Sequence, residues 1–189
     1  MNFRRGFFEK NWRKAIVYSV LSALVIWFVY TTVTFPEYNK FRYEHFRLSD
    51  GVVLDRNYYP LSVVRQDFDI RRAGYVRLSE VSNRFLSLLI QSEDKRFYSH
   101  PGIDFISLAS SLRDFFLGKK LRGASTINMQ FARNYFRFTQ DNGILRKIRE
   151  MIYAVIIDIR WSKNEILEAY INTVPLRGEI SGIYTASWG

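Results

Sequence analysis

Phe85-Leu86-Ser87-Leu88-Leu89-Ile90-Gln91-Ser92-Glu93-Asp94-Lys95-Arg96-Phe97-Tyr98-Ser99-His100-Pro101-Gly102 decides how this chain is read. An apolar run leads into a carboxylate pair. An aromatic pair, a histidine and a Pro-Gly turn follow. Val81, Phe85, Leu88 and Leu89 fall at i, i+4, i+7 and i+8, one face of a helix. Ser79 is placed to cap its start, and Pro101-Gly102 lies where such residues stop helices. Glu93 is therefore expected in or just past the last turn of a half-buried helix. The helix dipole disfavours an acid there. A carboxylate set against both that dipole and apolar surroundings suits acid/base chemistry. The competing reading is a solvated helix end with a turn behind it.

Downstream, Asp104 can cap a second helix, with Leu108, Leu112, Phe115 and Phe116 as its apolar stripe and Gly118 as its stop. Phe115-Phe116-Leu117-Gly118-Lys119-Lys120-Leu121-Arg122 is apolar and then basic. That order suits a segment dipping into a membrane interface with its cations at the headgroups; an ordinary core helix end is the alternative. Arg122-Gly123-Ala124-Ser125-Thr126 stands before a helical pattern from Ile127 to Phe138. Free N–H groups at such a start attract anions, and Arg122, Arg133 and Arg137 add positive charge. A plain N-cap with exposed arginines competes. After Gly143, Arg146, Lys147, Arg149 and Glu150 precede seven apolar residues, Met151 to Ile157. That run is too short to span a membrane and reads as a buried core helix. Arg146 and Lys147, at i−4 and i−3, can pair with Glu150 on one face. Ser162-Lys163-Asn164-Glu165 is a capping box opening a helix from Glu165 to Asn172. Leu176-Arg177-Gly178-Glu179 and Gly182 mark a loop.

Upstream, residues 1–14 carry Arg4, Arg5, Lys10, Arg13 and Lys14 against Glu9, and Ala15 to Phe35 then runs 21 residues without a charge. Such a run spans a hydrocarbon core of about 30 Å. The basic flank puts residues 1–14 in the cytoplasm and the rest outside. An uncleaved anchor is preferred to a signal peptide, because the run is longer than a signal core and no clear small-x-small site follows. Val52-Val53-Leu54 and Leu61-Ser62-Val63-Val64 flank the turn residues Asp55-Arg56-Asn57, and a small hairpin or extended arm is expected. The net charge of +10 calls for an anionic partner. The anchor then turns the choice from nucleic acid to anionic lipids or lipid-linked phosphates. No cysteine is present, which excludes disulfides and Cys-based zinc sites, and His45 and His100 are the only histidines. A zinc hydrolase is not expected.

In this order the blocks resemble the peptidoglycan glycosyltransferase domain of class A penicillin-binding proteins and their monofunctional relatives. The resembling residues are Glu93-Asp94-x-x-Phe97-x-x-His100-Pro101-Gly102 and Arg122-Gly123-Ala124-Ser125-Thr126-Ile127-x-x-Gln130-x-x-Arg133-Asn134. Arg146-Lys147-x-x-Glu150 and Ser162-Lys163-x-Glu165-Ile166-Leu167-Glu168-x-Tyr170-x-Asn172 complete them. The resemblance runs from about Val52 onward. Met129 stands where that family commonly has glutamine; this and Gly178-Glu179-Ile180-x-Gly182 look most like the penicillin-binding protein 1C branch. No Lys-Thr-Gly signature occurs, so no penicillin-binding transpeptidase site is expected.

The resemblance implies a mainly α, lysozyme-like domain with an N-terminal transmembrane helix and a small β-arm. The divisions are a basic tail (1–14), an anchor (15–35), a connector and arm (36–78) and the glycosyltransferase domain (79–189). It implies polymerisation of lipid II into β-1,4 glycan strands, with release of undecaprenyl diphosphate, on the outer face of the cytoplasmic membrane. Glu93 matches the general base and Glu150 the second carboxylate, which helps the diphosphate leave. Arg133, Arg146 and Lys147 match positions that supply positive charge. Ser125, Thr126 and Gln130 match a block lining the cleft; Asp94, Phe97 and His100 shape the first block. Tyr170 and Asn172 match the last block, in a binding or a structural role, and Lys163 is a helix-start residue with a substrate role in view. Partners are lipid II, the growing glycan, membrane lipids and other cell-wall synthesis proteins, not nucleic acid. No cofactor is required by the sequence; a divalent cation such as Mg2+ is the one the resemblance leaves open. The family domain continues beyond position 189 through a further helical region, so this one is expected to be C-terminally incomplete. A truncated, non-catalytic homologue docking on cell-wall machinery, or a lysozyme-like glycan-cleaving enzyme, are the alternatives.

Overall fold

The computed structural model describes residues 3–46, 48–119, 123–138 and 143–187. Lys120 and Arg122, two cations of the expected basic stretch, lie outside them. Helix α1, Phe3–Thr34, is continuous over 32 residues, so the basic tail and the apolar run share one helix. Its Trp12–Thr34 portion, 23 residues, is long and apolar enough to cross a membrane, and none of it is buried. The chain separates into two compact units, residues 1–35 and 36–189.

The second unit is mainly helical with a small β-arm, as expected. It opens with the short helix α2 (Tyr38–Lys40) and a π-helical turn, Phe41–His45. The arm is the antiparallel pair β1 (Asp50–Leu54) and β2 (Pro60–Arg65), with Gly51 opposite Val64 and Val53 opposite Ser62. Its turn is built on Asp55, whose Oδ1 accepts the N–H groups of Asn57 (2.7 Å) and Tyr59 (2.9 Å). An aspartate side chain replacing a backbone acceptor is the reason this residue type starts turns.

Helix α3 is Asn83–Glu93. Ser79 does not cap it. Ser79 lies in a separate 3-10 turn, Leu78–Glu80, and the N-cap position falls to Ser82, whose side chain makes no capping bond. Nor is the helix half-buried in the sense expected: none of its residues is buried, and Phe85 and Leu88 are 42% and 58% exposed. Periodicity sets which side chains share a face; whether another element covers that face is a tertiary matter. Helix α4, Phe105–Phe116, starts as expected. Asp104 Oδ1 accepts from Ile106 N (3.1 Å) and Ser107 N (3.0 Å), and Arg96 holds the same carboxylate with two bonds of 3.0 Å. Beyond its end Gly118 takes φ +64°, the left-handed conformation that terminates helices. Phe116 is 81% exposed and Phe115 60%, which is not how an ordinary core helix ends.

The core is made by α5 (Ile127–Tyr135), α6 (Gly143–Arg160) and α7 (Lys163–Thr173), which pack on one another. Ile127, Phe131 and Ala132 of α5, Ala154, Ile156 and Ile157 of α6 and Ile166, Leu167 and Ile171 of α7 are all fully buried or nearly so. The capping box at Ser162 and Glu165 is formed. The stretch expected as a connector supplies core residues as well. Phe41 is buried against Trp161 and Phe131, with ring centroids 4.9 and 5.6 Å away, and Trp161 Nε1 donates to Pro36 O at 2.9 Å. A short helix α8, Ile183–Ala186, follows the loop after α7. Gly102 lets the loop before α4 lie on α6. Its φ is +82°, and a Cβ would stand 2.4 Å from the Ala154 carbonyl oxygen.

Glu168 ties residues 38–78 to α7. Its Oε1 accepts from the Tyr38 and Tyr75 hydroxyls at 2.6 and 2.8 Å, and its Oε2 accepts from Leu78 N at 2.9 Å. Burial alone would push this carboxyl up; the bonds from Tyr38, Leu78 and Tyr75 outweigh it and hold the group below the usual carboxylate range. A carboxyl depressed in the folded state stabilises above its unfolded value of about 4.3, and that stabilisation is lost as pH falls through the lower folded value. Glu168→Gln is therefore expected to unfold at a lower temperature than wild type at pH 7, with the gap narrowing below about pH 4. A gap that stays constant from pH 7 to pH 3 in thermal unfolding would remove the charge from the account of this contact.

Candidate active site

Glu93 is the last residue of α3, where it was expected, but it is exposed rather than set against apolar surroundings. Its carboxylate is held by one contact from α5: Gln130 Nε2 donates to Glu93 Oε2 at 2.9 Å. One turn along α5, Arg133 Nη1 lies 3.9 Å from Glu150 Oε1. Residues three apart on a helix are neighbours on its surface. Gln130 and Arg133 therefore bring the two carboxylates, separated by 57 positions (150 − 93), to one face of one helix.

Glu150 is 1% exposed, on the inner face of α6. Lys147 Nζ is 3.1 Å from its Oε2 and Arg146 Nε 3.7 Å from its Oε1. Lys147 Nζ also donates to Ser125 Oγ at 2.6 Å. The i−3 and i−4 pairings expected from the sequence are thus present, with Arg133 as a third cation from α5. Glu150 Oε1 and Arg146 Nε are both buried and neither has a hydrogen-bond partner. Three cations converge on one carboxylate, so the cluster carries net positive charge, and its arginines are only loosely satisfied. Such a cluster suits an incoming anion with several oxygens. Among the described residues no group of three or more His, Cys, Asp or Glu side chains gathers.

Other sequence candidates are closed off from solvent. Asp94, Phe97, His100, Thr126 and Asn172 are all buried. Asp94 accepts from His100 Nε2 (3.0 Å to Oδ2) and from the backbone N–H of Ile127 (3.0 Å). Thr126 donates to Gly102 O at 2.6 Å and accepts from Met129 N at 3.2 Å. The start of α5, expected to offer free N–H groups to an anion, thus has two of them taken by the chain's own oxygens. The cations at Glu150 come from side chains instead. Asn172 exchanges bonds of 2.8 Å with both Val76 N and Val76 O, pinning the segment before α3 to α7. Lys163, considered for a substrate role, points inward to Asp158 Oδ1 (2.5 Å) and His100 O (2.7 Å). Tyr170 is buried, yet its hydroxyl donates to Gln130 Oε1 at 3.0 Å. Nothing in the spacing of Tyr170, Gln130 and Glu93 announces that link.

Comparison with known proteins bears on this arrangement. Residues 62–189 match the family described as Transglycosylase. A biosynthetic peptidoglycan transglycosylase of Bacteroides thetaiotaomicron is 36% identical over 134 residues, covering 67% of this chain and 52% of that protein. Penicillin-binding protein 1F of Bacillus subtilis is 39% identical over 113 residues, 59% of this chain and 16% of the relative. Penicillin-binding protein 1A of Haemophilus influenzae is 40% identical over 116 residues, 59% of this chain and 13% of the relative. The chain thus spans from about an eighth to about half the length of these relatives. The Glu93 block, the α5 block, the Glu150 block and α7 all fall within the matched residues, and the chain belongs to the transglycosylase family.

Proposed function

We propose that this chain is a peptidoglycan glycosyltransferase, anchored in the cytoplasmic membrane by α1 with its N-terminus inside, that polymerises lipid II into β-1,4 glycan strands. The observation that carries this reading is the pairing made by α5: Gln130 on Glu93 and Arg133 beside Glu150. One end of the site holds an exposed carboxylate that can take a proton. The other holds Arg133, Arg146 and Lys147 around a buried carboxylate. Joining a sugar hydroxyl to a lipid-linked diphosphate sugar needs those two ends. Glu93 accepts the proton of the acceptor's 4-hydroxyl. That oxygen attacks the anomeric carbon of the donor chain, and the bond to the diphosphate breaks with its electron pair leaving on undecaprenyl diphosphate. The product is β-linked because attack comes opposite the α-linked leaving group. Glu150 keeps the three cations aimed at one place. The exposed side chains of Phe115, Phe116 and Leu117, followed by exposed Lys119, suit contact with the lipid surface that presents such a substrate. Met129 and Gly178–Gly182 keep the 1C branch as the finer assignment.

Polymerisation of labelled lipid II by the detergent-solubilised chain tests the reading, with digestion of purified glycan run beside it. Strands from lipid II and no digestion are expected. Digestion without polymerisation would replace the proposal with a lysozyme-like cleaving enzyme. Binding of lipid II without either product would replace it with a non-catalytic membrane homologue. Arg146→Glu is expected to weaken binding of a lipid diphosphate roughly tenfold or more, the worth of one charge-assisted contact, while binding of a soluble glycan changes little. Equal losses for both ligands, by titration, would make Arg146 a structural partner of Glu150 only.

A further inference from the structure

Buried Tyr170 has one polar atom, and it is spent on a residue that in turn holds Glu93. The Tyr170 hydroxyl donates to Gln130 Oε1 at 3.0 Å, and Gln130 Nε2 donates to Glu93 Oε2 at 2.9 Å. A side-chain amide is nearly symmetric in shape, so packing alone does not choose which end faces a neighbour. Here the Glu93 carboxylate, which only accepts, selects Nε2, and the Tyr170 hydroxyl, which is able to donate, takes Oε1 and anchors the amide from the other side. Burial, and then the nearby Glu93 charge, push the Tyr170 phenol up to about 12. It therefore keeps its proton throughout the neutral range and presents it to Oε1. That leaves Nε2 facing the carboxylate. The reverse orientation would set an amide oxygen against Glu93 and an NH2 group against the phenol.

We infer that Tyr170 and Gln130 are positioning residues for Glu93, a two-bond relay that locks the Gln130 amide so that its NH2 group holds Glu93 Oε2 and leaves Oε1 for the acceptor hydroxyl. The inference rests on the proposed role of Glu93 for its consequence in catalysis, though not for the geometry itself. Glu93 needs such a device more than a buried base would. It sits at an exposed helix end, where packing does not hold its side chain. A base that samples several orientations is in the reactive one only part of the time, and a misplacement of about 1 Å can cost about a hundredfold. The relay reaches from the core, because Tyr170 lies on α7 beneath α5, to a side chain that nothing else in α3 fixes in place.

Two readouts test it, in the solubilised full chain. The first does not depend on activity: hydrogen exchange and chemical shift of the Gln130 side-chain NH2 by NMR. One proton is expected to be protected in wild type, and Tyr170→Phe, which keeps the ring and removes the hydroxyl, is expected to speed its exchange about tenfold. The second is turnover of lipid II. Tyr170→Phe and Gln130→Met are each expected to lower kcat about tenfold with little change in KM, and the double variant is expected to be no worse than Gln130→Met alone, since residues acting as a unit are not additive. An unprotected amide in wild type, or losses that multiply in the double variant, would overturn the relay. Protection in a wild-type chain that makes no glycan, lost in Tyr170→Phe, would uphold the relay and overturn the proposed activity, so the two failures are told apart.

Discussion

Glu93→Gln is expected to cut lipid II turnover by about 10²–10⁴, the usual contribution of a positioned general base. The substitution is isosteric and still offers an acceptor oxygen to Gln130 Nε2, now 2.9 Å from Glu93 Oε2. Neither α3 nor α5 has reason to move. Glu93 is exposed at the end of its helix, so the change leaves no buried group unpaired and should be close to neutral for stability. Substrate affinity should also survive, because the cations that would bind the diphosphate belong to the cluster around Glu150. The expected signature is a fall in kcat with KM and unfolding temperature held. Measurement of glycan strand formation against lipid II concentration, with thermal unfolding alongside, separates this from a folding defect. Turnover within a factor of about three of wild type would take the base role away from Glu93 and return its block to the solvated-turn reading.

What the sequence made legible was local. The Asp104 cap, the Ser162–Glu165 capping box, the Asp55 turn and the Arg146/Lys147/Glu150 face all depend on residues within five positions of one another. Short-range geometry is nearly fixed once a helix or turn forms, so residue type and spacing carry it. What stayed hidden was long-range. Gln130 meets Glu93 across 37 positions, Tyr170 meets Gln130 across 40, and Asp94 meets the start of α5 across 33. Phe41, expected in a connector, is in the core because Trp161 and Phe131 of distant helices meet it. The same limit explains the misreading of α3. Phe85, Leu88 and Leu89 do lie on α3, while Val81 falls ahead of it in extended backbone, and no letter in the sequence says that Phe85 and Leu88 stay uncovered. Of the residues the resemblance singled out, Asp94, His100, Thr126 and Asn172 are buried and bonded to other parts of the chain, which their spacing does not reveal.

Asp94→Ala is expected to lower folding stability by about 4 kcal/mol, from two buried donors orphaned at about 1–3 kcal/mol each. The Asp94 side chain is 2% exposed and stands between two elements. His100 Nε2, in the loop before α4, lies 3.1 Å from Oδ1 and 3.0 Å from Oδ2, and Oδ2 also accepts from Ile127 N at the start of α5. Alanine removes the acceptor and leaves the imidazole and the helix N–H buried without it. The loss is large because a domain typically holds only about 5–15 kcal/mol in all. Asp94→Asn sharpens the point. Its carbonyl oxygen, placed where Oδ2 stands, can still accept from Ile127 N and His100 Nε2, but its NH2 group then replaces Oδ1 beside His100 Nε2, 3.1 Å away, so a smaller loss than that of alanine is expected. The neighbouring carboxylate gives the contrast: Glu93 and Asp94 are adjacent in the chain, yet one is exposed and the other buried. Chemical denaturation of the solubilised chain should therefore rank wild type and Glu93→Gln together, then Asp94→Asn, then Asp94→Ala. The ranking also predicts how activity fails. Because Asp94 fixes the first turn of α5, and Gln130 on that helix holds Glu93, Asp94→Ala should lose turnover and stability together, whereas Glu93→Gln loses turnover alone. An alanine variant within about 1 kcal/mol of wild type would mean that α5 is anchored without Asp94.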